Sequence, residues 1–241
     1  MVQSAQARVV TAALAIFVKT PGLSPVKTRL AAGLGITDAT RFYELAAAAT
    51  AAVAHRCQAT LTPYWAIAEA GPAAAAAWPD FAQVEQGDGD LGDRLHHVYA
   101  ALQARYGAVL LIGADAPQLT PCLLRAALAM LDDADQPFVL GEASDGGFWL
   151  FGGRAPIPKS VWCTVRYSQP HTAFELRALL APHGNMASAP MLADVDNASD
   201  LPLLANALAA LPDPVPAQRG LLGWLQTILD RDAAAATRQP A

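Results

Sequence analysis

Cysteine and positive charge are both scarce in this sequence of 241 residues. Its three cysteines, Cys57, Cys122 and Cys163, lie far apart and form no CxxC pair. This arrangement excludes a disulfide framework and a cysteine-based zinc site. There are 16 lysines and arginines against 21 aspartates and glutamates, and the net charge is −5. These values argue against nucleic acid or an anionic membrane surface as a partner, but a few local cations still suffice to hold a small anion.

Long hydrophobic runs are also missing. The apolar run at residues 9–18 is too short to cross a bilayer, and it ends at Lys19. It has neither the basic leader nor the small-residue cleavage site of a signal peptide. We therefore expect a cytoplasmic protein with no integral membrane segment, in which residues 9–18 form a buried strand.

The sequence lacks the signatures of three enzyme classes. No GxxxxGK[ST] motif indicates a P-loop, and no GxSxG motif supports a serine hydrolase. The five histidines show no HExxH spacing for a zinc site.

Strand candidates alternate with helical patterns along the chain. Residues 60–68 and 108–112 are strand candidates, and the second of these is continuously apolar, as strands buried on both faces are. Apolar side chains recur with helical spacing after Asp38 and after Leu91. The alternation predicts an α/β fold with a mostly parallel central sheet. Ligands bind such sheets at the carboxyl ends of the strands, where the polar motifs of this chain are found.

The loop after the first predicted strand, KTPGLSPVKTRL at residues 19–30, collects cations. It offers Lys19, Lys27 and Arg29 together with the hydroxyl group of Thr28. Backbone N–H groups and two or three cations in such a loop can bind a phosphate. The alternative interpretation is an ordinary solvated turn.

A second loop, QGDGDLGDRL at residues 86–95, is rich in glycine and precedes a predicted helix. Gly87, Asp88, Gly89 and Gly92 would let a base, a ribose or a phosphate approach the backbone at the helix N-terminus. An acidic turn that only caps the helix would explain the same residues.

Two later motifs supply candidate metal ligands. Asp115 ends the central strand in LIGADAPQLT, a position where Mg²⁺ is often held together with ligand phosphates. Asp194 and Asp196 alternate in DVDNASDL, so an extended chain places both on one side. There they repel each other unless a proton or a cation separates them. Asp115 is therefore a candidate Mg²⁺ ligand that could instead simply cap the next turn, and Asp194 and Asp196 are separate candidate ligands of a metal ion.

The sequence SDGGFW at residues 144–149 is a further candidate. Asp145 precedes Gly146 and Gly147, and paired glycines permit a bulky ligand to approach the backbone. A tight turn before a strand would produce the same pattern. Residues 162–170, WCTVRYSQP, could form a loop on the acceptor side of the site.

The order of these motifs is more specific than any one of them. The Lys-Thr-Arg-Leu loop, QGDGDLGDRL, LIGADAPQLT, LGEASDGGFWLFG and DVDNASDL, spread over residues 14–204, resemble the DUF2064 family of bacterial GT-A-fold proteins, which are often described as glycosyltransferases. The resemblance implies a three-layer α/β/α sandwich of the GT-A type. It places a nucleotide-binding catalytic domain at residues 8–211 and a C-terminal helical extension and tail at residues 212–241.

The resemblance also implies a role for each motif. Lys27 and Arg29 would hold phosphates, and Asp115 would bind Mg²⁺ or Mn²⁺ together with Asp194 or Asp196. The implied activity is a metal-dependent transferase that uses a nucleotide-diphospho-sugar donor and a small-molecule acceptor.

The glycine motifs complete this implied site. Residues 87–92 would border the nucleoside, and residues 145–147 would face the sugar or the acceptor. Lys27 would stabilise the leaving diphosphate, and Asp145 would act as a base on the acceptor hydroxyl.

Two departures keep other activities open. Only Asp115 follows the central strand, where glycosyltransferases of this fold usually have Asp-x-Asp, and the first loop lacks the glycine-rich LxAGxGxRM pattern of pyrophosphorylases. The family is also similar to nucleotidylyltransferases such as molybdenum cofactor guanylyltransferase and phospholactate guanylyltransferase. The alternatives are therefore a nucleotidylyltransferase that joins an NTP to a phospho-acceptor and releases pyrophosphate, and a non-catalytic nucleotide-binding module.

Overall fold

The computed structural model describes residues 12–237. Residues 8–11 of the predicted domain, which include the start of the predicted strand at 9–18, lie outside this range, as do residues 238–241 of the predicted tail. The strands within the described range are β1 (Ala12–Val18), β2 (Leu61–Ile67), β3 (Ala82–Glu85), β4 (Val109–Gly113), β5 (Phe138–Ala143), β6 (Phe148–Gly153) and β7 (Met186–Leu192).

The α-helices of the same range lie between or after these strands. They are α1 (Thr28–Leu34), α2 (Ile36–His55), α3 (Pro72–Ala77), α4 (Leu91–Tyr106), α5 (Pro121–Met130), α6 (Lys159–Thr164), α7 (Thr172–Leu180), α8 (Leu201–Ala209) and α9 (Pro216–Thr237). Between residues 12 and 237, no helix has both the length and the apolar character that crossing a membrane requires.

The strands form one sheet in the order β3–β2–β1–β4–β6–β5–β7. β6 runs antiparallel to its neighbours β4 and β5, and the other strand pairs are parallel. The predicted α/β fold with a mostly parallel sheet is confirmed. The chain proceeds from β1 outward to β2 and β3, and then returns to the other side of β1 with β4. This reversal opens a crevice at the carboxyl ends of β1 and β4.

β1 is buried on both faces, which explains its apolar sequence. Leu14 and Ile16 pack on one face with residues of α2 and α5. Ala13 and Ala15 point to the opposite face and pack with residues of α4, α6 and α7. The sheet therefore lies between two helical layers, as in a three-layer sandwich.

A third apolar cluster involves a different face of α2. It combines side chains of α1, α2, α8 and α9, among them Phe42 and Leu221. Val195, which follows β7, is 1% exposed in the same cluster. Burial of Val195 anchors the segment that carries Asp194 and Asp196.

α9 spans most of the region predicted as a C-terminal helical extension and tail. Its Gln218 is 2% exposed and donates hydrogen bonds of 2.8 Å to the carbonyl oxygens of Pro117 and Leu119. These bonds attach α9 to the loop that follows β4, close to Asp115.

Three elements have no recognisable signal in the sequence. β7 contains no fully buried residue, so it lacks the apolar run that marks a central strand. α1 and α6 are seven and six residues long, too short for a helical period to be recognised.

Candidate functional site

A cleft of about 650 Å³ lies at the carboxyl ends of the strands, where the strand order reverses. It is lined by the candidate residues of the segment at 19–30, which includes the first turn of α1, and by the aspartates that follow β4, β5 and β7. These residues are Lys19, Lys27, Thr28, Arg29, Asp115, Asp145, Asp194 and Asp196. The fold thus brings cations and carboxylates from four separate segments into one place.

Lys27 is held firmly within this cleft. Its side chain is 7% exposed, and Nζ lies 2.6 Å from the carbonyl oxygen of Val195, 3.1 Å from Oδ2 of Asp115 and 3.9 Å from Oδ1 of Asp196. Its φ of 45° is left-handed, which is uncommon for a residue other than glycine. Such conformations cost free energy and concentrate at functional sites. Lys27 therefore supplies a fixed positive charge.

The other polar side chains of this loop remain accessible. Nη1 of Arg29 lies 2.6 Å from Oδ2 of Asp196, and the Arg29 side chain is 63% exposed. Lys19 and Thr28 are exposed and line the same cleft. These three groups could contact an anionic ligand without a change in the backbone.

Three carboxylates form a compact group in the cleft. One oxygen from each of Asp145, Asp194 and Asp196 lies within 4.8 Å of the other two. Asp115 was predicted as a ligand of the metal, but it stands outside this group and accepts a hydrogen bond from Lys27. Asp145, predicted as a base, lies beside Asp194 and Asp196, and metal binding by Asp115 stays a prediction.

The electrostatics of this group fit a bound cation. Burial raises the pKa of Asp194 to about 6, and the negative charges of Asp145, Asp196 and Asp115 contribute to the shift. Ionised together, these carboxylates repel one another, and a divalent cation would relieve the repulsion. Carboxylate oxygens are the ligands that Mg²⁺ and Mn²⁺ prefer. The residues present therefore suit the predicted metal.

The turn between β5 and β6 orients Asp145. The backbone N–H of Gly147 donates a hydrogen bond of 2.7 Å to Oδ1 of Asp145. Gly146 has a φ of 86° and lies so close to the carbonyl group of Pro170 that no side chain would fit. Gly147 also lines a smaller cleft of about 240 Å³ beside the first. The tight turn suggested by SDGGFW is present and packs on the segment that precedes α7.

The glycine-rich turn between β3 and α4 lines neither of these two clefts. Gly87 and Gly89 have φ values of 76° and 98°, and Asp90 caps α4 in a capping box with Asp93. These contacts correspond to the alternative interpretation of a helix-capping turn. A nucleoside contact by Gly87, Asp88 or Gly89 stays a prediction.

Gly92 has a structural explanation. It is buried where α4 meets α6, and a Cβ there would lie 2.5 Å from the carbonyl oxygen of Trp162. Residues 87–92 do have GxGxxG spacing, but the dinucleotide-binding motif follows a strand at the switch point, whereas β3 lies at the sheet edge. Helix packing therefore accounts for Gly92, and a nucleoside contact by Gly92 stays a prediction.

Tyr43 of α2 lines the cleft without any signal in the sequence. Its hydroxyl oxygen accepts a hydrogen bond of 2.8 Å from the backbone N–H of Lys19, and burial raises its pKa. Because Tyr43 lies on the apolar face of a helix, its sequence position cannot be distinguished from that of a core residue.

The segment at residues 162–170 borders the site as suggested, but through other side chains. Ser168 and Gln169 line both clefts. Arg166, the only cation of this segment, contacts Glu175 instead, with 2.7 Å between Nε and Oε1.

Solved structures share this fold. A protein from Desulfovibrio desulfuricans G20, described as a "putative nucleotide-diphospho-sugar transferase", has a TM-score of 0.80 and 23% identity over 91% of this chain and 97% of its own. The 4-diphosphocytidyl-2C-methyl-D-erythritol synthase from Anaerococcus prevotii DSM 20548 has a TM-score of 0.52 and 10% identity over 79% and 95% of the two chains. The chain therefore has the nucleotide-diphospho-sugar transferase fold, as predicted.

Sequence comparison identifies the family but no characterised relative. No curated protein matches the chain. The family DUF2064, described as "Uncharacterized protein conserved in bacteria", matches residues 46–169, just over half of the chain. The matched range includes the motifs that carry Asp115 and Asp145. The chain belongs to the DUF2064 family.

Proposed function

We propose that this protein is a metal-dependent transferase that takes a sugar from a nucleotide-diphospho-sugar donor. The observation that carries the proposal is the meeting of a cationic loop and four aspartates in one cleft at the switch point of the sheet. A donor diphosphate needs cations, and a divalent ion needs carboxylates. The description of the Desulfovibrio protein agrees with this activity.

Asp194 and Asp196 would hold Mg²⁺ or Mn²⁺, while Asp145, the third carboxylate of their group, would stay free to act as the base. A bound ion would neutralise the negative charge that develops on the leaving diphosphate. Asp115 would act through Lys27, whose ammonium group it contacts at 3.1 Å.

Lys27 and Arg29 would bind the diphosphate directly. The carbonyl group of Val195 and the carboxylate of Asp115 restrain Lys27, so its charge is already in place when the transition state forms. The exposed guanidinium group of Arg29 can contact a phosphate with two parallel hydrogen bonds.

Asp145 would act as the general base. Its Oδ1 is occupied by the Gly147 N–H, which fixes the orientation of the carboxylate. A base must have such an orientation to accept the acceptor's proton.

Nucleotidylyl transfer is the second candidate. Two observations favour it. Lys19, Lys27 and Arg29 all come from the segment at residues 19–30. Only Asp115 follows the central strand, where glycosyltransferases of this fold usually have Asp-x-Asp. Three cations could bind the triphosphate of an NTP during in-line attack by a phospho-acceptor.

Thermal stabilisation by ligands separates these activities. The protein would be melted with NTPs, NDPs and nucleotide-sugars, each with and without Mg²⁺ or Mn²⁺. A ligand at a hundredfold excess over its Kd adds about 2.7 kcal/mol to the free energy of unfolding. We expect a metal-dependent shift with one nucleotide-sugar, lost in Asp194→Asn and retained in the exposed control Asp132→Asn.

The remaining outcomes are equally specific. Stabilisation by NTPs but not by nucleotide-sugars, with pyrophosphate release in the presence of a phospho-acceptor, would establish the second candidate. Metal-independent binding without turnover would indicate a non-catalytic nucleotide-binding module.

A further inference from the structure

The smaller cleft is placed to hold the acceptor of the transfer proposed above, on which this inference rests. Both clefts are lined by Asp115, Asp145, Asp194, Ser168 and Gln169. A molecule in the smaller cleft therefore lies next to a donor in the larger one, with Asp145 bordering both. What the smaller cleft can bind is then a question of its charge and its surface.

The two clefts differ in charge. Lys19, Lys27 and Arg29 line the larger cleft, whereas within the described part of the chain no lysine, arginine or histidine lines the smaller one. The charged groups of its lining are the three aspartates shared with the larger cleft. A divalent ion bound by the shared aspartates would be neutralised by the donor diphosphate, so it would offer no positive charge to a ligand in the smaller cleft. A phosphate or carboxylate group in the smaller cleft would therefore face like charges without a counter-ion.

Apolar side chains form much of the smaller cleft. Phe17, Phe148 and Tyr167 line it and are each only partly buried. Leu91, at the start of α4, lines it as well and is 43% exposed. Apolar surface that a ligand could cover contributes favourable free energy on binding.

The polar atoms of the aromatic lining are already engaged. The Tyr167 hydroxyl donates a hydrogen bond of 3.0 Å to the carbonyl oxygen of Trp162. Nε1 of Trp149 donates one of 3.0 Å to the carbonyl oxygen of Pro190. These two residues therefore offer a ligand mainly ring surface.

Two neutral polar side chains complete the lining. Among the described residues, the side chains of Ser168 and Gln169 have no hydrogen-bond partner. Ser168 has a φ of 57°, and Thr172 holds the turn through bonds of 3.2 Å from the Gln169 N–H and 2.9 Å to the Arg166 carbonyl oxygen. The turn therefore presents a hydroxyl and an amide that suit the hydroxyl group of a ligand.

We propose that the smaller cleft binds an uncharged acceptor with a hydroxyl group and an apolar body about the size of one ring, and that it rejects phosphate esters. In the transfer, the bond between the anomeric carbon and the donor phosphate oxygen breaks, and its electron pair leaves with the nucleoside diphosphate. A bond forms between the anomeric carbon and the acceptor oxygen, while the hydroxyl proton passes to the Asp145 carboxylate. The same cleft disfavours the phosphorylated acceptor that nucleotidylyl transfer requires.

The test compares 2-phenylethanol with 2-phenylethyl phosphate, which differ only in the phosphate group. Binding to the full-length protein is measured by saturation-transfer NMR. Mg²⁺ and pyrophosphate are present throughout, so that pyrophosphate occupies Lys19, Lys27 and Arg29 of the larger cleft. We expect the ester to bind at least about tenfold more weakly than the alcohol. Gln169→Arg adds a cation to the cleft and should reverse this order.

Matched variants locate the binding site. Phe148→Ala and Leu91→Ala each remove apolar lining and should weaken the binding of 2-phenylethanol about fivefold. Leu91 is exposed, so its replacement leaves the fold intact if the Phe148 variant does not fold. Phe174→Ala is the control, because Phe174 is 73% exposed on α7 and lines neither cleft.

Equal binding of the two probes to the wild type would overturn the inference, and so would unchanged alcohol binding in folded Phe148 and Leu91 variants. Failure of the proposed function has a different signature. In that case Mg²⁺ and pyrophosphate produce no thermal stabilisation, and the loss of 2-phenylethanol binding in the Phe148 and Leu91 variants still decides the inference.

Discussion

Among single residues, Lys27 joins three parts of the site. Its ammonium group contacts the Asp115 carboxylate, which follows β4, and the Val195 carbonyl group, which follows β7. Its backbone immediately precedes α1. Each contact restrains the side chain, and together they offset the left-handed backbone conformation. The positive charge is therefore part of the folded architecture before any ligand binds.

Lys27→Met should weaken both the fold and nucleotide binding. Asp115 and Asp196 would lose their buried counter-charge, although the 44% exposure of the Asp115 side chain reduces the effect. We expect the free energy of unfolding to fall by about 1–2 kcal/mol and nucleotide affinity to fall at least about tenfold.

Urea unfolding and nucleotide titration would measure these two effects. Lys159→Met is the control, because Lys159 pairs with Asp93 at 2.7 Å on an exposed surface away from the cleft. Normal nucleotide affinity in Lys27→Met would contradict the proposed role of Lys27.

Asp194→Asn should stabilise the metal-free protein above pH 6. The pKa of Asp194 is raised to about 6 in the folded state, so folding favours its protonated form. This contribution to stability is fully present below the ordinary aspartate pKa of about 4 and is lost as the pH rises through about 6. Asparagine stays neutral, so at pH 8 without metal we expect a gain of about 1–2 kcal/mol after allowance for solvent screening.

Thermal melts at pH 4 and pH 8 in EDTA would detect this gain, which should largely disappear at the lower pH. Added Mg²⁺ should then stabilise the wild type more than the variant. A variant less stable than the wild type at pH 8 would show that the carboxylates do not repel one another as described.

At the scale of elements, the sequence predicts the central strands β1 and β4 but not the edge strand β7. β1 and β4 are buried on both faces, so their apolar runs mark them directly. β7 is partly exposed throughout and carries no such run, although it positions Asp194 and Asp196. The motifs therefore predict which residues lie at strand ends, whereas strand order decides that Asp145, rather than Asp115, joins the carboxylate group.

One carboxylate of α7 anchors the segment between α6 and α7 through hydrogen bonds. Glu175 accepts hydrogen bonds from the backbone N–H and Nε of Arg166, at 2.9 and 2.7 Å. Glu175→Gln weakens this anchor for the turn that carries Ser168 and Gln169. We expect hydrogen exchange in residues 165–171 to rise about tenfold, with nucleotide affinity unchanged.

Hydrogen-exchange mass spectrometry and a nucleotide titration would test this separation of effects. The control is Glu44→Gln, which breaks the exposed pair with Arg41 on α2. Unaltered exchange in Glu175→Gln would mean that Thr172 alone holds the turn.

For the whole molecule, the C-terminal helix is packed into the same apolar clusters as the domain. Leu221, Leu225 and Ile228 of α9 are buried in the cluster with α1, α2 and α8. We propose that residues 212–237 unfold together with the rest of the domain rather than as an appendage. Gln218 provides the sharpest test, because it connects α9 to the loop beside Asp115.

Gln218→Leu should destabilise the entire molecule in one transition. The change leaves the carbonyl groups of Pro117 and Leu119 and the N–H of Val215 without their buried partner. Unpaired buried polar groups of this kind should lower the free energy of unfolding by about 2–4 kcal/mol. The control Gln103→Leu loses one exposed hydrogen bond and should change stability by less than about 0.5 kcal/mol. Calorimetry would show a single shifted peak if α9 is integral, whereas a separate low-temperature transition would identify it as an appendage.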